Sequence, residues 1–285
     1  MVPLSTDGRS VESGNRKRKT FLYQNFLLNG GFPEIQGYLP HTRIKVLQEY
    51  VHTVIYRDIV DRYNIGRLQP LKRLLSATLN APATLFSVNN FYNHLKSQQI
   101  PCRKDSLYEY LEYLHDAYLL FPVRLAARSE KARQVNPAKI YPIDTGLAHA
   151  HSRETVPDWG HLLETFVFLE LRKRGYQPEY YKTKNGYEVD FVVQSPYTKI
   201  KELLQVSVSV KDDKTKKREI RGLEKAMAEQ QLTHSSLITA DEQDNITTES
   251  GKITIIPAWL WAIQLDKEQE GFYSQGFSQF DIFSL

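Results

Sequence analysis

Apolar residues recur along much of the chain at the three- and four-residue intervals of a helix with one buried face. Ile44, Leu47, Val51, Val54, Ile55, Ile59 and Val60 predict one long helix over 42–62, and Leu68, Leu71, Leu74, Leu75 and Leu79 a second over 68–79, stopped by Pro82. A short helix over 90–95 follows Ser87. Lys104-Asp105-Ser106 then opens another, with Leu107, Tyr110, Leu111, Leu114 and Tyr118 inward and Asp105 or Ser106 as the expected N-cap. Strand-like runs at 118–123 and 139–143 flank a basic segment containing Arg124, Arg128, Lys131 and Arg133. Helix, turn, helix and a two-stranded wing is the economical reading. Upstream, Phe21, Leu22, Phe26, Leu27 and Leu28 run into Gly30-Gly31-Phe32-Pro33-Glu34, a sharp turn out of a helix.

Beyond a polar linker at 151–160 the pattern changes. A largely apolar helix over 161–174 ends at Gly175 behind Arg172, Lys173 and Arg174. Alternating runs at 178–182 and 187–193 are joined by Lys184-Asn185-Gly186, which supplies hairpin chemistry. A third strand over 202–210, a helix over 215–229 and strands at 235–239 and 252–257 complete the unit. The fold class expected is therefore α/β (α+β), an N-terminal helical winged-helix-type unit followed by a mixed-sheet domain. The divisions are a loose basic arm at 1–20, a helical and winged-helix-like domain at 21–150, a mixed-sheet domain at 151–264 and a tail at 265–285.

The 285 residues, 41% hydrophobic and 25% charged, can bury a core, which excludes fibrous and wholly disordered classes. Lys and Arg exceed Asp and Glu by 37 to 33, a net charge of +4 that permits nucleic-acid contact without requiring it. The single cysteine, Cys102, excludes an intrachain disulfide and a cysteine-rich zinc site. Apolar runs fall short of the roughly 20 residues that span a bilayer, so a cytoplasmic protein without membrane contact is expected.

Three groups of residues carry candidate chemistry. Arg103, Lys104 and Tyr108 on the 104–115 helix, with Arg128, Lys131 and Arg133 in the wing, suit phosphate contact, although Glu109, Glu112 and Asp116 weaken the field there. Glu164 stands in an apolar helix and Asp190 inside a strand, where a carboxylate needs a partner, a cation or a proton. Lys211, Lys214, Lys216, Lys217, Arg218 and Arg221, interleaved with Asp212, Asp213 and Glu219, read first as a solvated helix face. No G-x-S-x-G elbow or H-E-x-x-H pair occurs.

Five motifs in series carry a resemblance. Gly30-Gly31-Phe32-Pro33-Glu34, Tyr56-Arg57-Asp58-Ile59-Val60, Tyr141-Pro142-Ile143-Asp144-Thr145-Gly146-Leu147, Leu163-Glu164 and Glu188-Val189-Asp190-Phe191 together resemble the C-terminal region of prokaryotic AAA-type ATP-binding proteins, over roughly 21–261. In that family an ATPase core precedes a winged-helix segment and a domain similar to the PD-(D/E)xK nuclease fold. The chain has no G-x-x-x-x-G-K-[ST] loop, so it is expected not to bind or hydrolyse ATP itself and to work beside an ATPase partner or a missing N-terminal ATPase domain. The resemblance assigns the nuclease-like positions to Glu164, Asp190, Gln205 and Ser207, with Mg²⁺ as the implied ion held by Glu164, Asp190 and Gln205. Ser207 stands where that pattern has its lysine, and Lys211 is the candidate substitute. The alternative reading makes Glu164 and Asp190 satisfied structural carboxylates that pair with Lys182, Lys211 or Arg218 or cap a neighbouring element. The leading function is an accessory DNA-binding module with a degenerate nuclease-like domain; the alternatives are an active Mg²⁺-dependent nuclease and a protein-interaction module.

Overall fold

A computed structural model describes residues 8–264 apart from Arg128, Thr155 and Tyr197. The expectations for the tail at 265–285 and for Arg128 lie outside the described residues. The chain is mixed α/β, about 52% helical, with two sheets.

Helix α1 (Gly8–Asn29) already begins inside the stretch read as a loose arm, which corrects that expectation from Gly8 onward. Its C-terminal half explains why: Tyr23 and Leu27 are buried in the main core, and Tyr23 meets the Phe166 ring edge-on at 4.9 Å, so the docked end anchors the turns before it. Helix α2 (Pro40–Val54) continues through a π-helical turn (Ile55–Val60) into α3 (Asp61–Tyr63), the single long helix expected at 42–62 with a wider turn inserted. A left-handed Asn64 ends it.

The next elements follow the order helix, strand, helix, helix, strand, strand. They are α4 (Leu68–Asn80), β1 (Thr84–Phe86), α5 (Val88–Ser97), α6 (Lys104–Asp116), β2 (Leu120–Val123) and, after the short α7 (Glu130–Val135), β3 (Ala138–Pro142). Leu71, Leu74, Leu79, Leu107 and Leu114 are fully buried and hold α4 and α6 together with the sheet. Ser87 caps α5 by accepting from the Asn90 N–H at 3.3 Å. Helix α6 has no side-chain cap. Its N-cap is the extended Arg103, which corrects the assignment to Asp105 or Ser106; Asp105 instead sits in the first turn, where a carboxylate suits the positive end of the helix dipole. The small sheet has three strands where two were expected, because β1 pairs antiparallel with β3, giving the order β1-β3-β2.

Helix α8 (Thr145–His151) leads to α9 (Trp159–Lys173), which is buried on most of its circumference. The second sheet has the order β4-β5-β6-β7-β9-β8: β4 (Glu179–Lys182), β5 (Glu188–Gln194) and β6 (Lys201–Val206) form an antiparallel meander, while β6, β7 (His234–Thr239) and β9 (Gly251–Pro257) run parallel. Helix α10 (Asp213–Gln230), capped by Asp212, is the crossover between β6 and β7. β8 (Asp244–Thr248) closes the edge antiparallel to β9 and has too few apolar residues to stand out in the sequence.

The two sheets are linked. Ala126 N–H donates to Tyr180 O at 2.8 Å and Tyr180 N–H to Arg124 O at 3.1 Å, so the chain leaving β2 covers the edge of β4. One core cluster includes Phe121 and Tyr141 from the small sheet, Phe166 and Phe168 from α9 and Phe191 from β5, with the Tyr141 and Phe168 rings stacked at 4.4 Å.

Candidate functional site

β3 is the central strand of the small sheet, and its alternation turns Lys139 and Tyr141 to one face, toward α9 and β5. On β5 the same two-residue period brings Glu188 and Asp190 to one face. The Lys139 ammonium, on a side chain only 5% exposed, lies 2.8 Å from Asp190 Oδ1, 2.9 Å from Glu188 Oε1 and 3.0 Å from Glu164 Oε1. Tyr141 donates its hydroxyl to Glu164 Oε1 at 2.6 Å. Lys182 sits 3.6 Å from Glu188 at the outer rim.

The structure thus brings Glu164 and Asp190 together and adds Glu188, which the two-residue repeat of its strand puts on the face of Asp190, and Lys139, which the sequence reading missed. The detectable signal was a lysine within an otherwise apolar strand: a buried ammonium needs several acceptors, and Lys139 has three. The pairings weighed for Glu164 and Asp190 all fail, since their lysine is Lys139.

Electrostatics follow from this crowding. Burial, then the charge of Asp190, pushes the Glu164 carboxyl up to about 8, against the opposing pull of Lys139 and Tyr141. Burial would lower the Lys139 ammonium, but Asp190, Glu164 and Glu188 together outweigh it and hold the lysine protonated, above its ordinary value.

These residues do not fit Mg²⁺ as they stand. A divalent ion bridging Glu164 and Asp190 would need the position of the Lys139 ammonium, which contacts both. Asp190 Oδ2 already accepts from the Val206 N–H at 2.9 Å, and Gln205 Oε1 accepts from the Asp190 N–H at 3.3 Å. Among the described residues no cluster of metal-ligating side chains stands free for an ion. Ser207 hydrogen-bonds to Ser209 O at 3.2 Å, where β6 has ended. Lys211 is exposed and faces Asp241 and Glu242, at 3.7 and 3.9 Å, instead of reaching back to the centre.

The nucleic-acid candidates divide. Tyr108 and Arg133 line one groove of about 400 Å³ between α6, the start of α5 and the small sheet, together with Arg124 and His115. Arg133 is tied to Glu179 at 2.6 Å. Arg103 and Lys104 sit at the start of α6, off that groove, and Lys131 is exposed on α7.

The glycine motifs have a structural role. Asp144 is buried, caps α8 through the Leu147 N–H at 2.9 Å and accepts from the Gly31 N–H at 2.6 Å. Gly30 adopts φ +79°, and a Cβ there would overlap Asp144; a Cβ on Gly146 would lie 2.2 Å from Asn29 O. The end of α1 and the start of α8 therefore interlock through residues far apart in sequence. Arg57 and Asp58 form an exposed pair at 2.7 Å on the π-helical turn.

Fold and site together define a mixed α/β protein with a buried lysine–carboxylate centre. Residues 20–158 match the model of DUF8612 and residues 159–261 that of DUF4143, each described as a domain of unknown function. The chain is 34% identical over 259 residues to Uncharacterized protein MJ1544 of Methanocaldococcus jannaschii, covering 87% of this chain and 57% of that protein. It is 24% identical over 188 residues to an Uncharacterized protein of Haemophilus influenzae, covering 66% and 46%. The chain spans about half the length of the curated relatives it matches.

Proposed function

We propose that the chain is a nucleic-acid-binding accessory module of an AAA-type ATPase system, with a nuclease-like centre that does not cut. The observation that carries the reading is the Lys139 ammonium, within 3.0 Å of Glu164, Glu188 and Asp190, in the place a catalytic metal would take. A resident ammonium neutralises the carboxylates but offers neither a bound hydroxide nor a Lewis acid for phosphodiester attack. Ser207, at the position of the pattern's lysine, supplies no charge for the transition state.

The ATPase association is supported by the C-terminal family match, since DUF4143 domains typically follow AAA ATPase domains, and by relatives longer than this chain. Nucleic-acid contact is supported by the winged-helix-like element order and by the groove that Tyr108 and Arg124 both line. Localisation in the cytoplasm belongs to the same reading; no helix among the described residues is long and apolar enough to cross a membrane.

The test is fluorescence anisotropy of labelled duplex and single-stranded DNA against the full chain across a salt series with Mg²⁺ present, followed by electrophoresis of the same samples. Affinity that falls with salt and intact DNA are expected. Absence of binding at low salt, or cleavage abolished by Asp190→Ala, overturns the proposal.

A further inference from the structure

Helix α10 packs one side on the second sheet through Leu223, Ala226 and Met227 and presents the other to solvent. Lys214, Lys217, Arg218, Arg221 and Lys225 are all exposed on it. At about 100° per residue they fall within a sector of about 100°, a stripe about 16 Å long at 1.5 Å per residue. The neighbouring cations are otherwise engaged: Lys216 with Asp244 at 3.0 Å and Lys211 with Asp241 and Glu242. Among the described residues no ion pair involves Lys214, Lys217, Arg221 or Lys225, while Arg218 binds Glu219 beside it.

The acidic residues of α10 do not cancel the stripe. Glu219 is buried and, among the described residues, engages Arg218 alone, and Glu229 accepts from the Tyr181 hydroxyl at 2.7 Å and from the Lys184 N–H at 3.0 Å. That second bond places the hairpin turn, with exposed Lys184, at the C-terminal end of the helix. Asp213 and Glu224 remain on one flank. By contrast, the face of α6 carries Asp105, Glu109, Glu112 and Asp116, and Arg133 in the wing is held by Glu179.

We infer that the outer face of α10, continued by Lys184, is the surface that holds the phosphate backbone of nucleic acid. The inference rests on the nucleic-acid reading above and deepens it by naming the surface. A row of cations about 16 Å long, four of its five members without an ion pair among the described residues, has the length and charge to follow a run of successive phosphates on one strand. Backbone contact of this kind is indifferent to sequence, which suits an accessory module.

The experiment uses the full chain and a labelled duplex of mixed sequence. Lys217→Glu/Arg221→Glu is compared with Tyr108→Ala/Arg124→Ala in the groove, with circular dichroism to confirm folding. The α10 pair is expected to weaken binding about tenfold or more and to flatten the logarithmic salt dependence by about two phosphate contacts. The milder Lys217→Gln/Arg221→Gln should give a smaller loss in the same direction. Binding that survives the α10 changes but is lost in the groove variant overturns the inference and leaves the nucleic-acid reading standing. No binding by the unaltered chain removes both.

Discussion

Replacing Lys139 by Met keeps most of the aliphatic side chain but removes the ammonium, its charge and its three N–H donors, leaving Glu164, Glu188 and Asp190 facing one another inside the protein. Removing one partner of a buried ion pair costs about 3–5 kcal/mol, because the remaining charge stays desolvated. Here three carboxylates lose the same ammonium, but Glu164 is already pushed up to about 8 and can hold a proton at neutral pH, so the lower end, about 3 kcal/mol at pH 7, is expected. The sign of the pH dependence is fixed. Crowded, buried carboxyls without a cation have raised folded pKa values, so the native variant binds more protons than the unfolded chain, and its stability rises as the pH falls. The loss relative to the unaltered protein should therefore be greatest above pH 8 and smallest near pH 5. Urea unfolding at pH 5, 7 and 8.5, followed by both tryptophan fluorescence and far-ultraviolet circular dichroism, reads it directly. A loss below about 1 kcal/mol with no pH dependence would refute the view that Lys139 neutralises this centre.

Glu164→Gln mimics the protonated carboxyl. In the native protein the raised pKa means that stability falls as pH climbs from the ordinary glutamate range through about 8, by about 1.4 kcal/mol per unit at most, and the glutamine variant should lack that part of the slope in urea unfolding. Gly146→Ala puts a methyl 2.2 Å from Asn29 O and should cost about 1–3 kcal/mol, whereas Gly66→Ala, with nothing within 4 Å, should be close to neutral; thermal unfolding compares the two. Asp144→Ala removes the α8 cap and strands the Gly31 N–H, and a loss of about 2–4 kcal/mol is expected by the same measurement.

The helices were legible because their buried faces repeat. Leu71, Leu74 and Leu79 on α4 and Leu223, Ala226 and Met227 on α10 declare themselves without tertiary information. β1 was not, because three residues give no period to read, and its identity depends on pairing with β3 more than fifty residues away. The third strand of the large sheet was read to Val210 but ends at Val206, where Asp190 takes the Val206 N–H and Glu242 takes that of Val210. At the site, Glu164 and Asp190 were legible as carboxylates in apolar surroundings. Their partner was hidden because Lys139, 25 and 51 residues distant from them, lies in a strand read as part of a basic wing, and only the link between the two sheets carries it to α9 and β5.

The central claim, that the chain's own lysine occupies the cation position between the carboxylates, is tested most directly by isothermal titration of Mn²⁺ and Mg²⁺ into the full chain, its Lys139→Met variant and its Asp190→Ala variant. The account predicts no stoichiometric binding to the unaltered chain and new binding once Lys139 is replaced. One equivalent of metal bound by the unaltered chain and lost in Asp190→Ala would contradict it.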